Sequence, residues 1–296
     1  MPSTLSETTD PTEPVPVTTI DAHQHVWDLS VRDQDWITGP ELAPLRRDFI
    51  LDDLRPQAAA AGVDATVLVQ TICVREETPE YLALAAADPL VAGVVGWTDL
   101  TSPVVADALA ALRALPGGDR LVGIRHHVQG EDEADWLLRP DVGRGLAAVA
   151  SAGLAYDLVL RPEQLPSAVA VARQRPELTF VLDYLGQPPI RPRRPDTWAA
   201  DLAALARLPN TVAKLSGLVT EADRHTWSHA DLRPFVSVAL DAFGPERLMF
   251  GSDWPVCTLA AEYEQVVVVG RELVADLSEH EQTAVFAGPA ARVYGL

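Results

Sequence analysis

At 296 residues and 48% hydrophobic content, the chain can fill either two small domains or one α/β barrel of ~250 residues. Its net charge of −19, from 42 Asp and Glu against 23 Lys and Arg, argues against nucleic acid or an anionic membrane as a partner. No apolar run reaches the ~18 residues of a membrane span, and Cys73 and Cys257 match no metal or redox spacing, which suggests a reducing, cytoplasmic setting.

Residues 1–17 are rich in Pro, Thr, Ser and Glu and lack both a basic start and an apolar core. They read as a disordered tail rather than a signal peptide, with one folded domain over 18–296. From residue 18 onward, eight apolar runs alternate with helical patterns. The runs are 18–25, 65–70, 91–97, 121–127, 155–160, 179–185, 211–218 and 248–254. Helices are predicted near 52–61, 78–88, 103–115, 140–152, 163–175, 196–208, 230–243 and 259–276. Asp52, Thr78, Ser102 and Asp196 suit N-caps. Pro79 and Pro103 suit first turns, and Gly62 and Gly153 suit C-caps. The β-branched run Val266–Val269 fits its helix poorly. Segment 26–51, with Trp27, Trp36 and Phe49, is long enough to be a lid or substrate wall. Residues 186–195 are too Pro-rich for a helix.

Strands buried on both faces and each followed by a helix imply a parallel sheet. Eight such units imply a distorted (β/α)8 TIM barrel. An open doubly wound sheet would want a Gly-rich loop after its first strand, and DAHQHVWD has none.

Barrel enzymes carry their chemistry at the C-terminal ends of the strands. Those ends supply His23 and His25, Arg125 and His127, Tyr184, Lys214 and Ser216, and Asp253. Alternation in a strand places His23 and His25 on one face, with Asp21 below them. The same parity groups Arg125 with His127 and Lys214 with Ser216. His126 cannot then face inward too. Lys214 is the only lysine among 23 basic residues; it is expected to face the interior near Asp253, though pairing with an inner Asp would serve structure alone. Trp27, Trp36 and Trp254 flank the site or belong to the core. His225, His229 and His280 read as solvated.

These residues sit in the segments DAHQHVWD, GVVGWTDL, GIRHHVQGE, YDLVLRPEQLP, FVLDYLGQPPI, VAKLSG and GSDWPV. Together they resemble the amidohydrolase superfamily, in its sugar-lactonase-like branch of L-fuconolactonases, L-rhamnonolactonases and 2-pyrone-4,6-dicarboxylate lactonases. The resemblance covers 18–296 and implies a distorted barrel and lactone hydrolysis, with Asp253 shuttling protons. His23 and His25 match the family's first-strand pair, and Arg125 matches a substrate-contacting position. Tyr184 stands where the family usually has histidine, and the fifth strand lacks the histidine of metal-dependent relatives.

The expected reaction is the opening of a cyclic ester. Asp253 activates water and His23 and His25 stabilise the oxyanion. Arg125 grips substrate oxygens with its forked guanidinium, and His127, Tyr184, Lys214, Trp27 and Trp36 complete the substrate site. No cofactor is required; His23, His25 and Asp253 are the ligands if one divalent metal, zinc or manganese, is held. The partner is a small molecule, and homo-oligomerisation stays open. A non-oxidative decarboxylase or C–C hydrolase, and a ligand-binding barrel without turnover, are the alternatives.

Overall fold

The structure, a computed structural model, describes residues 19–190 and 197–296. The tail expected over 1–17, the end of the Pro-rich stretch and the cap expected at Asp196 lie outside the described residues.

Eight parallel strands form one sheet in sequential order. They are β1 Ile20–Gln24, β2 Ala65–Val69, β3 Val91–Gly96, β4 Leu121–His127, β5 Ala155–Val159, β6 Phe180–Leu182, β7 Thr211–Leu215 and β8 Leu248–Phe250. Helices α1 Leu51–Ala60, α2 Glu77–Ala87, α3 Val105–Arg113, α4 Pro140–Ser151, α5 Leu165–Gln174 and α6 Thr197–Ala206 follow strands one to six. The short α7 Leu218–Glu221 and α8 His229–Phe243 follow β7. Helices α9 Tyr263–Leu273, α10 Glu279–Phe286 and α11 Gly288–Tyr294 complete the chain.

The last and first strands meet just beyond β8. There Asp253 N–H donates to His23 O at 2.8 Å and His25 N–H to Trp254 O at 2.7 Å. The sheet is thus a (β/α)8 barrel. Its apolar residues fall into two layers. Leu68, Ile124, Leu158, Leu182 and Leu215 pack outward under the helices. Ile20, Ala22, Val67, Val95, Val181, Val212 and Met249 fill the floor inside, and α11 plugs that floor with Ala290 and Tyr294.

Two local expectations change. The first turns of α1, α2 and α3 are preceded by Ile50, Glu76 and Val104, not by Asp52, Thr78 and Ser102. Asp53 supplies the missing acceptor for Ile50 N–H, at 3.1 Å. Thr78 instead ties α2 to the sheet, its hydroxyl donating to Trp97 O at 3.1 Å. Pro103 lies ahead of α3. Gly62 and Gly153 do end α1 and α4, each with φ near +67°. The valines of 266–269 stay helical because Val266, Val267 and Val269 are buried. Burial is worth ~1.5–3 kcal/mol per side chain and outweighs a helix-propensity cost of at most ~0.7 kcal/mol per residue.

The second change lies in β1. Its register against β2 slips between Asp21 and Gln24. Ile20 and Ala22 point into the barrel, and His23 does so too. Asp21 therefore does not lie below the histidines. It turns to the outer layer and accepts from Tyr263 Oη on α9 at 3.0 Å and from Ser252 N–H at 2.8 Å. Strand parity fails here because an irregularity shifts the alternation by one residue.

Candidate active site

The strand ends that carry His25, Arg125, His127, Tyr184 and Asp253 converge on one cavity at the top of the barrel. Arg125, on β4, is 2% exposed. Its Nη1 donates to Asp183 Oδ2 at 2.9 Å and lies 3.2 Å from His23 Nε2; its Nη2 donates to Gln70 O. The fork is thus already engaged by the protein, which corrects the expectation of a forked grip on substrate. Only Nε is without a partner among the described residues.

The Arg125 contact also sets the state of His23. A guanidinium can only donate, so Nε2 accepts and Nδ1 carries the proton. Nδ1 faces Ser216 Oγ at 3.3 Å and Asp183 Oδ1 at 3.5 Å. Burial, with the nearby cations Lys214 and Arg125 and with His25, holds the His23 imidazolium well below its usual range, so the ring is neutral. His25 is fixed differently. Its Nδ1 donates to Val69 O at 2.7 Å, which turns Nε2 toward Asp253 Oδ1 at 3.4 Å.

Tyr184 reaches the same centre by an unexpected route. β6 ends at Leu182, and alternation from the inward-facing Val181 sends Asp183 into the barrel. Tyr184 would point out if the strand continued. Instead the backbone turns left-handed at Tyr184, Leu185, Gly186 and Gln187, with φ between 52° and 71°. This swings the ring inward against His23, centroids 4.8 Å apart. The hydroxyl donates to Asp253 Oδ1 at 3.0 Å and lies 3.1 Å from His23 Nε2. Burial and the Asp253 charge push the phenol well above its usual range, so it stays a donor. Room for the ring comes from Gly217 (φ +68°), where a Cβ would stand 2.5 Å from Tyr184 Cδ1. Asp253 is also left-handed, φ 59°.

These groups floor a cavity of about 260 Å³. Its lining includes His25, Arg125, His127, Tyr184, Trp36 and Asp253. The volume lies below the roughly 300–1,000 Å³ of pockets for drug-sized ligands and suits a monosaccharide-sized molecule. His127 faces it as a neutral ring, since burial and Arg125 lower its pKa to about 3. Its neighbour His126 packs flat on Trp136, centroids 4.2 Å apart.

Three predicted site residues stand back from the cavity. His23 is fully buried behind its wall. Trp27 packs against Trp36 and Phe49, its Nε1 donating to Arg47 O at 2.8 Å. Lys214 is wholly buried, its Nζ donating to Asp157 Oδ2 at 2.6 Å and pairing with Asp183 Oδ1 at 3.1 Å. A buried ammonium needs carboxylates, and the barrel supplies two before any ligand arrives. His225 and His280 are exposed, whereas His229 is partly buried, with its Nδ1 3.0 Å from Glu272 Oε2.

Sequence reasoning missed Asp183 and Glu221. Asp183 was legible, since it follows Val181 by two in a strand. Glu221 lines the cavity from α7; burial and Asp253 raise its pKa to about 7. It lies six residues past the end of β7, where no periodicity points inward.

His23, His25 and Asp253 place three ligand atoms within 4.8 Å of one another. His25 Nε2 and Asp253 Oδ1 are two acceptors facing each other, an arrangement that a cation or a proton relieves. The donor set therefore fits a divalent metal, which these three residues would hold.

A parallel barrel with polar groups gathered at the carboxyl ends of its strands and an acid at the eighth is an enzyme architecture. The chain belongs to the amidohydrolase family, whose sequence profile matches residues 20–296. It is 42% identical over 290 residues to an L-fucono-1,5-lactonase of Burkholderia multivorans, covering 94% of this chain and 96% of that one. A second L-fucono-1,5-lactonase, from Burkholderia ambifaria, is 39% identical over 244 residues, 82% of each chain. A crystal structure of a Burkholderia multivorans amidohydrolase with bound zinc superposes with a TM-score of 0.87 at 40% identity, covering 94% of this chain and 99% of that one.

Proposed function

We propose that this protein is a lactonase that opens a sugar-type lactone by water attack at the ring carbonyl. The observation that carries the reading is Asp253, at the cavity floor, with one carboxylate oxygen engaged and one available. Oδ1 accepts from Tyr184, which leaves Oδ2 for a water. Asp253 takes a proton from that water as its oxygen bonds to the carbonyl carbon. The ring C–O bond then breaks, and Asp253 returns the proton to the leaving alkoxide, giving a hydroxy acid. His25 and Tyr184 line the cavity beside Asp253, His25 with Nε2 as an acceptor and Tyr184 with its proton on Asp253 Oδ1, so neither spares a donor for the oxyanion. Arg125 Nε, buried without a partner among the described residues, donates to a substrate oxygen. His127 and Trp36 close the cavity walls, and the similarity to L-fucono-1,5-lactonases supports a six-carbon sugar lactone.

If a divalent ion, zinc or manganese, is held, His23, His25 and Asp253 hold it. It would polarise the carbonyl and acidify water. The protein's own hydrogen bonds already satisfy His23 Nε2 and Asp253 Oδ1, which supports turnover without an obligatory metal. Two free cysteines fit a reducing compartment, and we place the protein in the cytoplasm. No helix among the described residues is long and apolar enough to cross a membrane.

The test is a panel of aldonolactones, L-fucono-1,5-lactone among them, beside pyrone and muconolactones, read by acid release. Fast opening of a sugar lactone supports the reading. Release of carbon dioxide from an aromatic acid with no lactone opening would replace it with decarboxylation.

A further inference from the structure

The cavity rests on a column of buried charged and polar groups that runs down the barrel to its floor. Its lowest member is Tyr294, at the end of α11. Tyr294 Oη donates to Asp157 Oδ2 at 2.7 Å, and the Lys214 ammonium donates to the same oxygen at 2.6 Å. The other oxygen, Oδ1, has no hydrogen-bond partner among the described residues. The ordering of Asp157 thus rests on two donors at one atom. Lys214 also lies 5.5 Å from the Tyr294 ring centroid, so the ring backs the ammonium as well. Above it, Lys214 pairs with Asp183 Oδ1 at 3.1 Å. Asp183 Oδ2 takes Arg125 Nη1 at 2.9 Å, which lies 3.2 Å from His23 Nε2. Tyr184 Oη stands 3.1 Å from that nitrogen and donates to Asp253 Oδ1 at 3.0 Å.

Every link between Tyr294 and Asp253 is a direct contact between side chains that are all but fully buried, Tyr184 excepted. Such a column has little water to absorb a displacement, because interiors are close-packed and buried charges are held by their partners. Tyr294 is not needed merely to fill space. A phenylalanine would fill the same floor among Ile20, Ala22, Val181 and Ala290. What the hydroxyl adds is a donor to a carboxylate that would otherwise keep the lysine alone.

We propose that Tyr294 is a positioning residue for the reaction: its hydroxyl fixes Asp157 and Lys214, and through Asp183 and Arg125 it sets His23 and Asp253. The inference rests on the lactonase reading of the cavity. It makes the helix that plugs the barrel floor part of the apparatus at the opposite mouth.

The experiment uses the full chain and the variant Tyr294→Phe. Lys214 is the sequence's only lysine, so protein labelled with ¹⁵N- and ¹³C-lysine gives one side-chain ammonium signal from the middle of the column. The titratable and charged groups around Asp157 are Lys214 on β7, Asp183 after β6 and Tyr294 on α11, with Arg125 beyond Asp183. Asp157 ionises at about 6, raised by burial and lowered by Lys214 and Tyr294. In Tyr294→Phe the ammonium signal is expected to move, and its inflection with pH to rise, because a donor to the charged carboxylate is gone. On the lactone that the wild type opens, kcat is expected to fall about tenfold with KM little changed, as for a small misplacement of the reacting groups. Leu296→Ala, which loosens packing on the same inner cluster without removing the hydroxyl, is expected to leave signal and kcat unmoved. An unmoved lysine signal in Tyr294→Phe, an unchanged kcat, or equal changes in Leu296→Ala would each overturn the proposal. If the wild type opens no lactone, the functional reading falls, and the lysine signal still decides whether Tyr294 holds the column.

Discussion

Two polar layers share the barrel interior, and they are built differently. The lower layer, Asp157, Lys214 and Arg125, stands on regular strands whose side chains alternate. The upper layer depends on exceptions. His23 faces in after a register slip, Tyr184 after a left-handed turn, and Asp253 with φ 59° beyond the end of β8. A left-handed non-glycine residue costs ~1–2 kcal/mol. That cost is offset where the surroundings fix the residue, as Gly217 and His23 do for the Tyr184 ring. The contrast teaches that the lower layer supplies rigid charge balance, whereas the upper layer holds groups at angles that no strand provides. Strain of this kind concentrates at functional sites.

The sharpest way to break the upper layer without touching the lower is Asp253→Asn. Turnover is expected to fall ~10²–10⁴-fold, the usual worth of a general acid–base, with an unchanged melting curve. Near-wild-type rates in the folded variant would remove Asp253 from the mechanism.

Striking the lower layer should give the opposite signature. Lys214→Met leaves Asp157 buried without a cation and Asp183 with Arg125 alone. Breaking a buried ionic cluster in this way costs ~3–5 kcal/mol, to be read by urea denaturation. A stability loss under ~1 kcal/mol would mean that the column is not charge-balanced as drawn.

Tyr184→Phe keeps the ring and deletes the donation to Asp253 Oδ1. An expected loss of about tenfold in kcat follows from removing one hydrogen bond to a charged group. Tyr184→His, tested beside it on the aldonolactone panel, separates a role in substrate choice from one in proton placement. A gain on sugar lactones in the histidine variant points to substrate choice.

Chelation refines the comparison further. Arg125 already donates to His23 Nε2 and Tyr184 to Asp253 Oδ1, two of the three atoms a metal would take, so exhaustive chelation is expected to leave most of the turnover, with metal content measured on the same sample. Loss of activity restored by zinc or manganese would make His23, His25 and Asp253 obligatory ligands.

The smallest effect is expected at Glu221. Its folded pKa, about 7, lies above the ordinary carboxyl value because of burial and Asp253. The folded state therefore holds this proton more tightly, and the associated stability is present at low pH and lost as pH rises through about 7. Glu221→Gln is expected to melt higher than wild type at pH 8 and alike at pH 4. An equal difference at both pH values would show that the carboxyl does not titrate across this range.

The alternation of apolar runs and helical segments, read from the amino-acid order alone, determined the eight-stranded barrel, the ends of its strands and the gathering of His25, Arg125, His127 and Asp253 at one mouth. Those features follow from local periodicity, which each segment carries by itself. Asp183 was present in the same pattern, two residues past Val181, but lay in the shadow of Tyr184. Only the tertiary structure decided that Arg125 spends its fork on Asp183, His23 and Gln70, that Lys214 is neutralised below the cavity, and that Trp27 belongs to the core. It also decided that Asp21 faces outward and that Tyr184 faces in. A register slip and a left-handed turn are settled by what packs around them, Tyr263 and Ser252 in one case and Gly217 and His23 in the other. Those partners come from distant parts of the chain, so the contacts that select such a conformation exist only once the barrel has closed.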